Sequence, residues 1–172
     1  MVELTSISFG IALFGGIYDL FTRRIPNWLT FPSMILGISA QAFYFGWQGV
    51  GNSLLGITVG FLLLIPIYFL KFMGAGDVKL LMVIGAWSSA LFCLYVVIAA
   101  IFLGGVYAIC DVIVAQRFTI VLRAGYRFVR SLFVPVLVVE IPALDKERKF
   151  SFGIYLAIAV AIVIWLQHSG RL

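Results

Sequence analysis

The stretch FLKFMGAGDVKLLMVIGAW, residues 69–87, sets an acid, Asp77, behind two glycines, Gly74 and Gly76, at the head of a strongly apolar run. A second stretch, GGIYDLFTRRIPNWLT, residues 15–30, repeats the pattern in reverse, with Asp19 near the end of an apolar run and Arg23 and Arg24 just beyond it. Ionisable groups inside hydrophobic spans are costly, and a functional role is the default reading for them. The fold and the chemistry both turn on why these two acids are there.

The 172-residue chain is 63% hydrophobic and 11% charged, with a mean hydropathy of +1.15. A soluble domain needs far more polar surface, so the composition predicts an all-α, polytopic membrane protein. One crossing takes about 20 apolar residues, which leaves room for roughly six and for no separate soluble domain. Residues 1–172 therefore read as one integral membrane domain. The 16 Phe, 7 Tyr and 4 Trp suit lipid-facing surfaces and interfacial belts. Glu3 stands where a signal peptide would carry basic residues, so the start reads as a retained first helix. Cys93 and Cys110 both lie in apolar runs and form no Cys-x-x-Cys pair, which predicts buried, inert thiols. No His/Cys cluster suggests a metal, since His168 stands alone. No cofactor or nucleic-acid partner is expected.

Hydropathy places a first helix over about residues 4–22, a second over 27–46 and a third over 53–71. Pro26 opens the second, where its missing N–H costs nothing. The turn GWQGVGNS, residues 46–53, separates the second from the third. A fourth helix begins at Asp77, a fifth ends near Ala115, and WSSA (87–90) is the expected turn between them. A basic segment, about 116–149, precedes a sixth helix over about 150–168.

Arg23, Arg24, Lys71, Arg117, Arg123, Arg127, Arg130, Lys146, Arg148 and Lys149 all follow the first, third or fifth helix, and Lys79 lies just inside the fourth on the same side. The opposite loops hold no basic residue, and only Arg171 falls on that side. The positive-inside rule then puts both chain ends outside the cytoplasm. Within AQRFTIVLRAGYRFVRSLF, Arg123, Arg127 and Arg130 recur at spacings of four and three, which predicts an amphipathic segment. Its arginines, with Arg117, would meet anionic headgroups.

Parity puts Asp19, after one crossing, and Asp77, after three, on the same cytoplasmic face. Each acid has a plain alternative. Asp77 can cap the fourth helix, and Asp19 can pair with Arg23 one turn on. Neither accounts for Gly74 and Gly76, which suit close approach of a backbone or substrate. Asp111, deeper in the fifth helix, reads as a structural pairing residue. Two carboxyls that share one proton can work as acid and base on a water molecule, the chemistry of aspartic proteases. Two other readings stay open: a small proton-coupled transporter that uses the acids as a relay, and a non-catalytic membrane subunit of a secretion or pilus machine.

GAGD resembles the Gly-x-Gly-Asp signature of membrane-embedded aspartyl proteases. D-x-x-x-R-R-I-P-N around Asp19 resembles the first catalytic segment of type IV prepilin peptidases, in particular the short Flp/Tad type. The resemblance covers about residues 10–115. It implies a multi-pass enzyme of the bacterial cytoplasmic (inner) membrane, with Asp19 and Asp77 as the catalytic pair. Gly74 and Gly76 would shape the loop beside the scissile bond, and Arg23, Pro26, Asn27 and Lys79 would support it. The implied substrate is a prepilin or pseudopilin with a short basic leader, cut at the cytoplasmic membrane edge. Long family members add paired Cys-x-x-Cys residues and methylate the new N-terminus. This chain lacks those residues, so peptidase activity alone is expected. Gly153 in KFSFGIYLAIA matches the family's late Pro-x-Gly-Pro segment only at the glycine.

Overall fold

A computed structural model describes residues 2–22, 25–69, 73–114 and 152–170. These residues are helical, as the composition predicts, and form five helices. They are α1 (Val2–Thr22), α2 (Asn27–Phe69), α3 (Ala75–Trp87), α4 (Ala90–Val114) and α5 (Phe152–His168). Arg23, Arg24, Lys71 and the basic segment with Arg117, Arg123, Arg127 and Arg130 lie outside the described residues. So does the side chain of Asp111. The chain divides into two compact units, residues 1–103 with 151–172, and residues 104–150. Both acids belong to the first.

The expected turn at residues 46–53 is not a loop. Helix runs through it, broken only at Gly46, whose φ of 58° and ψ of −144° are open essentially to glycine alone. A straight helix of 43 residues would reach about 65 Å, twice the thickness of a bilayer core. The break instead turns α2 into a hairpin of two arms, and Gly49 comes back against the carbonyl of Gln41. Both arms lie along α3 in opposite senses. In the first, Asn27 meets Lys79 and Gln41 meets the α3 terminus. In the second, Ser53 meets Ala86 and Gly60 meets Leu81. Phe43, Tyr44, Phe45 and Trp47 stand exposed around the bend, as residues of an aromatic belt do.

α3 is buried on almost every side, through Val78, Leu80, Leu81, Val83, Ile84, Gly85, Ala86 and Trp87. An apolar residue at nearly every position gives a helix no face for water, so it packs in the middle of its unit. Leu64 of α2, Phe92, Cys93 and Val96 of α4, and Leu156 and Val160 of α5 join it in one core. Gly56 and Gly85 bring the backbones of α2 and α3 into contact. Such small-residue seams give helices in lipid their van der Waals attraction.

The turn at WSSA is where the sequence places it, with Ser88 and Ser89 between α3 and α4. The carbonyls at the end of α3 find partners on α2, as they must where no water reaches them. Gln41 Nε2 donates to the carbonyls of Trp87 (3.1 Å) and Ser88 (3.0 Å). Ser53 Oγ donates to that of Ala86 (2.8 Å), and Trp87 Nε1 donates back to the carbonyl of Ser33 (2.8 Å).

Three helices, α1, α2 and α4, are long and apolar enough to cross a membrane. The described residues do not confirm six crossings. α3 has 13 residues and α5 has 17, fewer than the roughly 20 of a full span. The thiols need a correction too. Cys93 is buried, its Sγ 3.8 Å from the carbonyl of Leu81, but Cys110 is exposed on α4. An apolar helix in a membrane turns one face to lipid, so an apolar run does not by itself mean burial.

Candidate active site

The site forms where α1 ends and α2, α3 and α5 begin. α1 runs antiparallel to α3: Leu4 packs with Val83 and Trp87 at one end of the unit, and Gly15 lies against Leu80 nearer the other. Gly15 and Gly16 precede Asp19 by four and three residues, so all three share a face of α1. Gly15 receives the Leu80 side chain, with Leu80 Cδ1 2.9 Å from where a Cβ would stand. Gly16 receives α5: a Cβ there would fall 2.8 Å from the carbonyl oxygen of Gly153. Two helices thus close on α1 one turn above the acid.

Asp19 is 8% exposed and Asp77 6%. They come from segments 58 positions apart in the sequence, yet both stand where α1 ends and α3 begins, and Ile25, six residues after Asp19, packs on Gly76, next to Asp77. Asp77 does not begin its helix, as the sequence suggested. Gly74, extended at φ −81° and ψ 152°, is the N-cap, and Asp77 is the third helical residue. Its Oδ2 reaches back to accept the Gly74 N–H at 3.1 Å. That bond is half of a capping box, so the plain capping role is real. It engages one oxygen of a group with about four acceptor sites, which leaves capacity for chemistry.

The two glycines of GAGD serve different ends. Gly76 is pressed by the chain just after α1: a Cβ would meet Ile25 Cβ at 3.0 Å and the Ile25 backbone nitrogen at 3.3 Å. Gly74 has no such neighbour. It is exposed, and a Cβ there would have only Asp77 Oδ2, at 3.5 Å, and the nitrogen of Gly76, at 3.9 Å, nearby. Close approach explains Gly76. Gly74 leaves the approach to Asp77 uncovered.

Among the supporting residues, Pro26 precedes α2 and its carbonyl accepts the N–H groups of Leu29 (3.1 Å) and Thr30 (3.3 Å). Asn27 and Lys79 meet directly, with Lys79 Nζ donating to Asn27 Oδ1 at 2.7 Å. Arg23 lies outside the described residues. Three further participants had no role in the motif reading. Ile25, the isoleucine of R-R-I-P-N, is the residue that crowds Gly76. Gly16 carries α5, although its spacing from Asp19 was a usable signal. Gly153 faces the acid itself: a Cβ there would stand 3.4 Å from Asp19 Oδ2.

Residues 6–109 match the model of the type IV leader peptidase family. The chain belongs to this family. The match takes in both acids, both glycines of GAGD and the Pro26, Asn27 and Lys79 positions, whereas Gly153 lies beyond it. A prepilin leader peptidase/N-methyltransferase of Dichelobacter nodosus is 34% identical over 94 residues, which make up 51% of this chain and 32% of that protein. The leader-peptidase family member described here thus aligns with about a third of that relative's length. No solved structure matches it.

Proposed function

We propose that this chain is a membrane-embedded aspartic endopeptidase that removes the short basic leader from Flp-type prepilins or pseudopilins. Asp19 and Asp77 are its catalytic pair, and cleavage takes place at the cytoplasmic edge of the bacterial inner membrane. One observation carries the reading: two buried acids from remote segments stand at the same end of the helices, where Ile25 packs on Gly76. Family membership and the prepilin leader peptidase relative support the same reaction class. The excess of basic residues in the segments after α1, α2 and α4 supports the cytoplasmic side, and Arg117, Arg123, Arg127 and Arg130 would engage anionic headgroups there.

The chemistry follows from the pair. Two buried carboxyls brought together on one water molecule do not both hold a negative charge cheaply, so they share a proton. The carboxylate takes a proton from a water molecule, whose oxygen attacks the scissile carbonyl. The carboxylic acid gives its proton to the carbonyl oxygen. The tetrahedral intermediate collapses as the amine leaves with a proton from the pair and a hydroxyl of the intermediate gives its proton back to the carboxylate, which restores the starting state. The uncovered side of Gly74 is where an extended substrate segment reaches Asp77.

Co-expression with a Flp-type prepilin, read as a mobility shift, tests this. Wild type should convert the prepilin, and Asp19→Asn and Asp77→Asn should leave it uncut while still inserting in the membrane. Conversion by either variant at the wild-type rate would remove the dyad.

A further inference from the structure

Lys79 and Asn27 belong to the two acid-bearing motifs, yet neither takes part in the chemistry above. They meet across the fold. Lys79 Nζ donates to Asn27 Oδ1 at 2.7 Å and lies 5.4 Å from the centre of the Phe31 ring, within the range of a cation–π contact. Asn27 and Phe31 are one turn apart on α2, so one ammonium grips two successive side chains of that helix. Ile25 packs on Gly76 immediately beside this grip. The start of α2 is thereby fixed to the first two turns of α3 at both Gly76 and Lys79, on either side of Asp77.

Asp77 and Lys79 are two residues apart, about 200° around a helix, and side chains so spaced do not face each other. A direct ion pair between them is therefore not what Lys79 provides. What it provides is register. α1 ends at Thr22, and Asn27 opens α2 five residues later. Holding Asn27 against α3 therefore limits, by the length of chain between them, how far the end of α1, and with it Asp19, can stand from Asp77.

We propose that Lys79 and Asn27 are positioning residues, a clasp that sets the Asp19–Asp77 separation through the backbone and contacts no substrate. The inference rests on the peptidase reading above. A separation held this way matters because a misplacement of about 1 Å can lower a rate about 10²-fold.

The test is steady-state cleavage of a purified prepilin by the full chain in detergent, with melting temperatures measured on the same samples. Lys79→Met and Asn27→Leu should each lower kcat by about 10²-fold and leave KM and the pH of maximum activity where they are in wild type. The double variant should fall no further than Lys79→Met, because Asn27→Leu removes a bond that Lys79→Met has already lost. Asn27→Asp, which offers the ammonium a charged acceptor, should recover most of the rate lost in Asn27→Leu. A raised KM with kcat intact would mean that Lys79 binds substrate, and a displaced pH optimum would mean that its charge acts on the acids directly. Either result overturns the clasp, as do additive losses or an Asn27→Asp enzyme as slow as Asn27→Leu. Asp19→Asn and Asp77→Asn run alongside: if they cut, the peptidase reading fails by itself. Melting temperatures decide the clasp even then, with the double variant melting where Lys79→Met does if it exists and lower if it does not.

Discussion

Ile25 closes on Gly76 so tightly that a Cβ added to the glycine would stand 3.0 Å from Ile25 Cβ and 3.3 Å from its backbone nitrogen. The contact joins the segment after Asp19 to the turn of helix that bears Asp77, and any side chain at 76 makes Ile25 give way by a few tenths of an ångström. Gly76→Val should push Ile25 away from α3 and lower cleavage by about 10²-fold. Gly74→Ala makes a useful contrast. Its nearest neighbour is Asp77 Oδ2 at 3.5 Å, so the protein should melt as wild type does while the added methyl partly covers the acid and slows cleavage. Equal melting losses in the two variants would show that the glycines do not differ in the way described.

Gly16 and Gly153 make a second prediction. A Cβ on Gly16 would meet the Gly153 carbonyl oxygen at 2.8 Å and the Ile154 Cα at 3.1 Å. Both are backbone atoms and cannot swing aside, so Gly16→Ala must displace α5. It should cost about 1–3 kcal/mol of stability, as overpacking does. Gly153→Ala, whose nearest contacts are at 3.4 Å, should cost less stability but still lower cleavage, because the methyl lies on Asp19. Chemical or thermal unfolding in detergent measures the first quantity, and prepilin cleavage measures the second.

Gln41 carries a prediction about the far end of α3. Its side chain supplies the hydrogen bonds of the Trp87 and Ser88 carbonyls and is 3% exposed. Gln41→Met keeps the volume and removes the donor of two bonds, and should destabilise the protein by about 1 kcal/mol, at about 0.6 kcal/mol for each interhelical hydrogen bond in a membrane protein. KM for prepilin should not change, since the bond lies at the opposite end of α3 from Asp77.

The helices and the acids were readable because each leaves a local mark. Apolar runs, the serines at 88 and 89, and an acid inside each of two such runs are properties of neighbours in sequence. Local signals also misled. GWQGVGNS looks like a loop, yet only Gly46 leaves the helix, because one glycine at positive φ suffices to reverse a chain that α3 then holds from both arms. Asp77 looks like the first residue of its helix, yet Gly74 can act as the cap through its backbone alone and shifts the start by two residues. What no window of sequence contains is the meeting of Gly16 with Gly153 or of Ile25 with Gly76. Those are agreements between distant segments, and they decide how the acids are held.

The proposed dyad requires that Asp19 and Asp77 act as one unit on one water molecule. It is tested most directly by single-turnover cleavage of a purified prepilin by Asp19→Asn, Asp77→Asn and the double variant. Groups that act together lose their effect together, so each single variant should be as inactive as the double one, with prepilin binding retained. A single variant that cuts at the wild-type rate, or single losses that multiply in the double variant, would contradict it.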